Sequence, residues 1–187
     1  MLGLVSCGSR QFTQGEYDDV NEVRHLDDEF NEHDAKSLSE EMIKSLQAHP
    51  TIVGAKNPPV VQMENVRNKT SEHIDTKVLT DAVRTALLKT GKVLFANKDD
   101  RQLREDEVDY QLDSGRYRKD KQKKRDGGVS PDYLITGDLI SNVQQVGSKK
   151  LVFYKLTLNM TDLESGLMVW SEEKPIRKRF KKKSVGL

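Results

Sequence analysis

The sequence has little of several features that would place it in a well-defined class. It contains one cysteine, so no internal disulfide can form. It has no run of about 18 apolar residues, the length at which a segment becomes a candidate for spanning a membrane. Hydrophobic residues make up only 35% of its 187 residues, whereas charged residues make up 33%. This balance predicts one domain with a modest core and a heavily charged surface.

Sets of residues that could carry out chemistry are also lacking. Cys7 has no neighbouring base with which to form a nucleophilic pair. Gly127-Gly128 neither follows a strand nor precedes the Lys-Ser/Thr of a phosphate-binding loop. The histidines lack the spacing of metal ligands; they are His25, His33, His49 and His73. We therefore predict that the protein is not an enzyme and that it holds no cofactor or metal.

Positive charge is concentrated in two segments, although the net charge of the chain is only +1. Residues 116–125 carry seven basic side chains and one aspartate, and residues 175–187 carry six basic side chains and no acid. Each segment thus contributes +6, and the rest of the chain carries −11. An acidic body with two basic segments favours contact with anionic partners or docking within the molecule.

The N-terminal residues contain a short motif for lipid attachment. The sequence Leu-Val-Ser-Cys, ending at Cys7, resembles a bacterial lipobox, whose cysteine receives the lipid and becomes the mature N-terminus. The alternative is an incidental cysteine. Only six residues precede it, so we interpret Met1 as a truncated or misassigned start and residues 1–7 as the remnant of a lipoprotein signal. The following Gly-Ser lacks the aspartate associated with retention in the inner membrane, which favours the outer membrane.

The rest of the chain is predicted to contain a tether, a domain and a tail. Residues 8–27 are polar, with an acidic cluster, and are predicted to form a flexible tether. Residues 28–174 are predicted to form a single α/β domain, and residues 175–187 a basic C-terminal tail.

Three helices are predicted within the domain. The first has Asp34 as its N-cap and runs to about Ala48, since apolar residues recur at helical spacing. The second begins after a cap at Asp75 and stops at Gly91. A third, more highly charged helix covers residues 99–113. Its inward-facing residues are predicted to be Leu103, Val108 and Leu112.

Several segments have the composition of β-strands. They are Pro59–Val66, Lys92–Ala96, Tyr133–Ile140, Leu151–Leu163 and Leu167–Trp170. The last two are joined by a turn at Gly166 and are predicted to form a hairpin that buries Trp170. Helices and strands alternate first and antiparallel strands come last, which predicts a mixed sheet covered by helices.

Three segments, taken in this order, resemble the LpoB family of penicillin-binding-protein activators. They are Val60–Thr70 running into Asp75–Leu88, then Pro-Asp-Tyr-Leu-Ile-Thr-Gly-Asp from Pro131 to Asp138, then Phe153–Ser171. The resemblance covers roughly residues 34–174. That family is related in fold to the TolB N-terminal domain and to CsgG. The resemblance implies an α/β fold with a central mixed sheet, flanked by helices on both faces and ending in an antiparallel hairpin.

The resemblance also implies a function. Members are outer-membrane lipoproteins that face the periplasm, bind an accessory domain of a bifunctional class A penicillin-binding protein and stimulate its peptidoglycan synthesis. We therefore expect a monomer, lipid-anchored at Cys7, that regulates a synthase by protein contact. The candidate contact residues are the cations of the basic loop, namely Arg116, Arg118, Lys119, Lys121, Lys123, Lys124 and Arg125.

Other interpretations of the same features stay open. The two basic segments interleave aromatics with cations, as nucleic-acid-binding segments do, although an exported protein would meet no nucleic acid. They could also be solvated charge, or adhere to anionic lipid or a teichoic-type polymer. A CsgG- or TolB-like role in secretion or envelope assembly is a further alternative. The tether is short for reaching an inner-membrane synthase, with a typical span of about 25 Å.

Overall fold

The computed structural model describes residues 19, 22–23 and 28–182. In chain order the helices are α1 (Glu32–Ala48), α2 (Pro50–Val53), α3 (Lys77–Lys89) and α4 (Arg101–Asp113). The strands are β1 (Val60–Met63), β2 (Arg67–Lys69), β3 (Leu94–Phe95), β4 (Tyr133–Val146), β5 (Lys149–Asp162) and β6 (Met168–Lys181). Cys7 and most of the predicted tether lie outside the described residues, as do residues 183–187.

The strands form one mixed sheet in the order β3-β1-β4-β5-β6, with β2 continuing the pairing of β1 along β4. β1 runs parallel to both β3 and β4, whereas β4, β5 and β6 are antiparallel neighbours. The predicted mixed sheet with a C-terminal hairpin is therefore confirmed.

Helices occupy both sides of this sheet. The β1–α3–β3 and β3–α4–β4 crossovers run in opposite directions across the sheet, and the right-handedness of such crossovers places α3 and α4 on opposite faces. In agreement, α3 packs with α1 in the main core, whereas Val108 of α4 is buried apart from that core. Within the described residues, no helix is long and apolar enough to cross a bilayer.

The start of α1 differs from the sequence prediction. Asn31, and not Asp34, is the N-cap: its side chain accepts a hydrogen bond from the Asp34 amide at 3.0 Å, and the Asp34 carboxylate accepts one from the Asn31 amide at 3.0 Å. This reciprocal capping box satisfies two amides that the helix leaves unpaired. Asp34 therefore belongs to the first turn, where its other contacts bury it.

The ends of α3 follow the sequence more closely. Asp75 accepts a hydrogen bond from the amide of Lys77 at 3.0 Å, but the N-cap residue is Thr76. The Thr76 hydroxyl donates to the Val66 carbonyl instead of capping the helix. Gly91 has φ 67°, a conformation that glycine adopts without strain, and it follows the end of the helix as predicted.

The main core lies between the sheet and the pair α1 and α3. Every second residue of β5 is buried there, and these residues are Val152, Tyr154, Leu156, Leu158 and Met160. Trp170 of β6 is 6% exposed, and its indole nitrogen donates to the Ser45 hydroxyl of α1 at 3.1 Å. The predicted burial of Trp170 is confirmed.

Gly137 of β4 is required by close packing. A Cβ atom there would lie 2.3 Å from Leu158 Cδ2 and 2.8 Å from the Thr157 carbonyl oxygen of β5. The glycine does not mark a bulge, because the register between β4 and β5 is unbroken from Tyr133 to Val146. The irregularity of the sheet lies between β5 and β6, at Met160 and Thr161.

The basic C-terminal tail predicted from residue 175 is wrong for residues 175–181. They form the second half of β6 and pair with β5 as far as Lys149. Arg177, Arg179 and Lys181 alternate along the strand with a second set of residues that lies on the side of the sheet facing α1. This second set is Ile176, Lys178 and Phe180. β4 is also longer than predicted and extends past Ile140 to Val146. The domain therefore extends at least to Lys181.

The third predicted helix corresponds to α4, and its position is confirmed. Its predicted set of inward-facing residues is not. Val108 is 5% exposed, whereas Leu103 is 66% exposed. The physical reason is the low apolar content of α4, which can bury only a narrow stripe.

Candidate partner-binding surfaces

The first candidate surface is the predicted basic loop, which connects α4 to β4 without regular secondary structure. All of its cations are exposed to solvent; they are Arg116, Arg118, Lys119, Lys121, Lys123, Lys124 and Arg125. The structure thus brings the predicted contact residues together on one segment.

Contacts with α4 fix the C-terminal part of this loop. The Arg125 guanidinium donates to Asp109 at 2.7 Å and to Asp113 at 3.1 Å. The hydrogen bond that Arg125 donates to Asp109, together with the charges of both aspartates, raises the pKa of Arg125 above its usual value. Gln122 donates to the Gln111 carbonyl at 2.7 Å. The loop is therefore held against the helix that precedes it.

Internal pairing removes only part of the positive charge of the loop. Arg118 pairs with Asp120 at 2.8 Å, and Arg125 pairs with α4. Within residues 28–182, the other five loop cations form no ion pair with a carboxylate. They are Arg116, Lys119, Lys121, Lys123 and Lys124. These five are available to an anionic partner.

The second candidate surface lies on the β5–β6 hairpin. We call the side facing α1 the core face and the other side the outer face. The distal half of the hairpin is the half away from its own turn at Gly166 and next to Gly147 and Ser148, which join β4 to β5. Because side chains alternate along a strand, the outer face carries the odd-numbered residues of both strands in this half. Its basic residues are Lys149, Lys155, Arg177, Arg179 and Lys181.

Cations on the core face all have partners. Lys174 pairs with Glu41 of α1 at 3.5 Å, and Lys150 pairs with Asp28. Lys178 pairs with Asp34 at 2.8 Å, and these residues are 8% and 3% exposed. Such burial requires the partner, because an isolated buried charge is strongly unfavourable.

Lys178 belongs to a buried network that joins four parts of the chain. Its ammonium lies 5.4 Å from the centre of the Tyr154 ring, and it donates to the Glu29 carbonyl. Burial and a hydrogen bond to Glu72 raise the pKa of Tyr154, so its hydroxyl stays protonated and donates. Glu72 also accepts from the Phe30 amide at 2.8 Å. The network attaches residues 28–30 to the hairpin.

On the outer face, the described carboxylates pair with cations only towards the end away from Gly147 and Ser148. Asp138 of β4 accepts from Arg67 at 2.6 Å and from Lys69 at 3.0 Å. Burial raises the pKa of Asp138, but these hydrogen bonds and charges outweigh it and lower that pKa below its usual value. Lys155 pairs with Glu173 at 2.8 Å. Further along, among described residues, Lys149, Arg177, Arg179 and Lys181 have no carboxylate partner.

Sequence reasoning noticed the second surface only as a charged tail. The signal that could have revealed it is the alternation of residues 176–181, in which Ile176 and Phe180 mark one face and Arg177, Arg179 and Lys181 the other. Cys7, the predicted site of lipid attachment, lies outside the described residues. Within the described part, no group of three or more potential ligands could hold a metal ion.

Comparison with solved structures finds matches at low sequence identity. The chain is 14% identical to the LpoB C-terminal domain from Salmonella enterica, with 76% of this chain and 98% of that chain covered and a TM-score of 0.49. The LpoB C-terminal domain from Escherichia coli is 18% identical, with the same coverage and a TM-score of 0.47. The NMR structure of E. coli LpoB is 13% identical, covering 95% of this chain and 83% of that one, with a TM-score of 0.48.

A search among curated proteins found no match to this sequence. A family model matches residues 34–176, which is most of the chain and nearly all of the described domain. The family is described as the peptidoglycan-synthase activator LpoB. The match includes most of α1 and most of the hairpin, and it confirms the resemblance found in the sequence. The chain therefore belongs to the LpoB family.

Proposed function

We propose that this protein is an outer-membrane lipoprotein, facing the periplasm, that binds and activates a class A penicillin-binding protein in peptidoglycan synthesis. The observation that carries the proposal is the family match over residues 34–176. The lipobox ending at Cys7 supports the anchor. In this proposal the protein acts as a monomer.

The protein would act by binding and not by catalysis. A binding protein can raise the rate of an enzyme only if it binds the active state more tightly than the inactive one. A coupling free energy of about 1–3 kcal/mol, typical of allosteric systems, corresponds to a change of about 5–150-fold. The expected stimulation of the synthase lies within this range.

The basic loop is the proposed contact with the synthase. Five of its cations have no carboxylate partner among the described residues, and the segment that carries them is fixed at Arg125, so a partner need not order the whole loop on binding. Complementary charge at such a surface mainly accelerates association. Salt should therefore slow association more than it speeds dissociation.

The test measures association of the full chain, carrying Cys7→Ser to exclude the lipid, with the purified synthase of the same organism. A loop variant changes Lys119, Lys121, Lys123 and Lys124 to Gln. A matched control changes Lys149, Arg177, Arg179 and Lys181 to Gln and so removes the same charge from the hairpin. We expect association to slow at least tenfold in the loop variant and to stay near the unsubstituted rate in the control.

The outcomes separate the contact from the function. If neither variant differs from the parent while the parent binds and stimulates the synthase, the loop is not the contact but the activator function stands. If the parent chain does not bind the synthase at any concentration tested, the proposed function is wrong.

A further inference from the structure

The distal outer face of the hairpin is a cationic surface that the proposed contact with the synthase does not use. Lys149, Arg177, Arg179 and Lys181 are exposed there and, among the described residues, have no carboxylate partner. Six residues of an extended strand cover about 20 Å. The cations are thus spread over a broad, nearly flat area, which suits an array of anionic groups better than a single small anion.

Apolar side chains lie among these cations. Leu151 and Phe153 are half-buried on the outer face of β5, between Lys149 and Lys155. Val146, the last residue of the neighbouring strand β4, is 80% exposed. A shallow groove of about 360 Å³ joins the two kinds of surface; it is lined by Gln144, Val146, Lys149, Leu151, Arg179 and Lys181. Long basic side chains around exposed apolar groups are typical of surfaces that rest at a membrane interface.

The attachment of the N-terminal segment, which lies on the core face, places the distal half of the hairpin near the lipid anchor proposed above. Asp28 is bound to Lys150 on the distal half of β5, and Phe30 packs edge-on against Tyr154 with 5.2 Å between ring centres. The chain that leads from Cys7 therefore joins the domain beside the distal hairpin. The intervening 20 residues have a typical span of about 25 Å, which is short enough to keep the hairpin close to the bilayer.

We propose that the distal outer face of the hairpin docks on the surface of a bilayer that contains anionic phospholipids. The cations lie at the lipid headgroups, and the side chain of Val146, beside the turn between β4 and β5, enters the membrane interface. Each Lys or Arg near such a surface contributes favourably, and the contributions of several add. Docking would orient the domain relative to the membrane and leave the basic loop, on a different segment, for the synthase.

The test uses the full chain carrying Cys7→Ser, so that binding to lipid cannot come from acylation. Sedimentation is measured with vesicles of phosphatidylglycerol and phosphatidylcholine in equal parts, and with vesicles of phosphatidylcholine alone. We expect binding to the mixed vesicles only. Changing Lys149, Arg177, Arg179 and Lys181 to Gln should weaken it about 1,000-fold. The loop variant with four Lys→Gln changes removes the same charge and should bind as the parent does.

A second variant separates a bilayer from any other polyanion. Val146→Ser keeps the charge and should weaken vesicle binding about threefold through the lost apolar contact, while leaving binding to soluble polyphosphate unchanged. Equal vesicle binding by the Val146→Ser protein and the parent would overturn the proposal, since the face would then be a general polyanion surface.

Three other results would overturn it. They are failure of the parent to bind mixed vesicles at low salt, an equal loss in the loop variant, and normal vesicle binding by the hairpin variant together with lost stimulation of the synthase. The last result would assign the face to an acidic protein partner. Stimulation measured without vesicles reports on the proposed function independently, so failure of lipid docking leaves that proposal intact.

Discussion

The core face of the β5–β6 hairpin carries three cations and the outer face carries five, and the two faces use them differently. On the core face, Lys150, Lys174 and Lys178 each have a carboxylate partner on the segment that begins at Asp28 and continues into α1. On the distal outer face, most cations have none within the described residues. Since both sets come from the same alternating strands, strand register alone decides which charges stabilise the fold and which stay available to partners.

The comparison predicts its largest effect at the buried pair. Asp34→Asn keeps the shape of the side chain but leaves the Lys178 ammonium buried without its counter-charge. We expect the free energy of unfolding, measured by urea denaturation, to fall by about 3–5 kcal/mol. Arg179→Gln, on the outer face of the same strand, should change it by less than about 0.5 kcal/mol. Similar losses in the two variants would contradict the distinction between the faces.

Aromatic residues extend the comparison to apolar contacts. Trp170→Ala removes a buried side chain and its hydrogen bond to Ser45, and should cost about 3–5 kcal/mol. Phe153→Ala, on the half-buried outer face, should cost less than half of that. Thermal or urea unfolding measures both. A Trp170→Ala protein that melts within a degree or two of the parent would show that the hairpin packs differently.

The close approach of β4 and β5 at Gly137 predicts a loss of unfolding free energy of intermediate size. Gly137→Ala places a Cβ atom against Leu158 and the backbone of Thr157, and we expect a loss of about 1–3 kcal/mol from overpacking. Gly128→Ala is the matched control, because no atom lies within 4 Å of the Cβ position there. Equal stability of the two alanine variants would mean that the strands separate to accept the methyl group.

The smallest effect concerns pH and Asp138, an outer-face carboxylate with two cationic partners. Folding lowers the pKa of Asp138, so its contribution is present above the unfolded pKa of about 4 and is lost as pH falls through the folded value. Asp138→Asn should therefore reduce the dependence of unfolding free energy on pH below about 4. Identical acid dependence in the variant and the parent would exclude this contribution.

Local patterns predicted those parts of the structure that local forces determine. The alternation of β5, the turn at Gly166 and the apolar stripe of α1 all correspond to elements that the structure contains. The second half of β6 was missed because its exposed cations outnumber the apolar residues that mark a strand, and its pairing with β5 is a tertiary contact. The prediction that Leu103 faces inward was wrong because helical spacing only places apolar residues on one face of a helix. It does not ensure that another element covers that face.

Long-range contacts were beyond the sequence argument. Lys178 and Asp34 are separated by 144 residues, and Tyr154 and Glu72 by 82. No pattern around any of these four residues announces a buried network. The basic loop, by contrast, was recognised from composition alone, although its attachment to Asp109 and Asp113 was not.

The most direct test of the central claim is the rate of glycan-strand synthesis by the purified class A penicillin-binding protein as the full chain carrying Cys7→Ser is titrated in. The account predicts a saturable rise, within the range of about 5–150-fold that allosteric coupling allows. The loop variant should reach the same maximum at higher concentration, because substitution of its cations weakens binding without altering the bound state. A rate that stays at its basal value when the synthase is saturated with this protein would contradict the account.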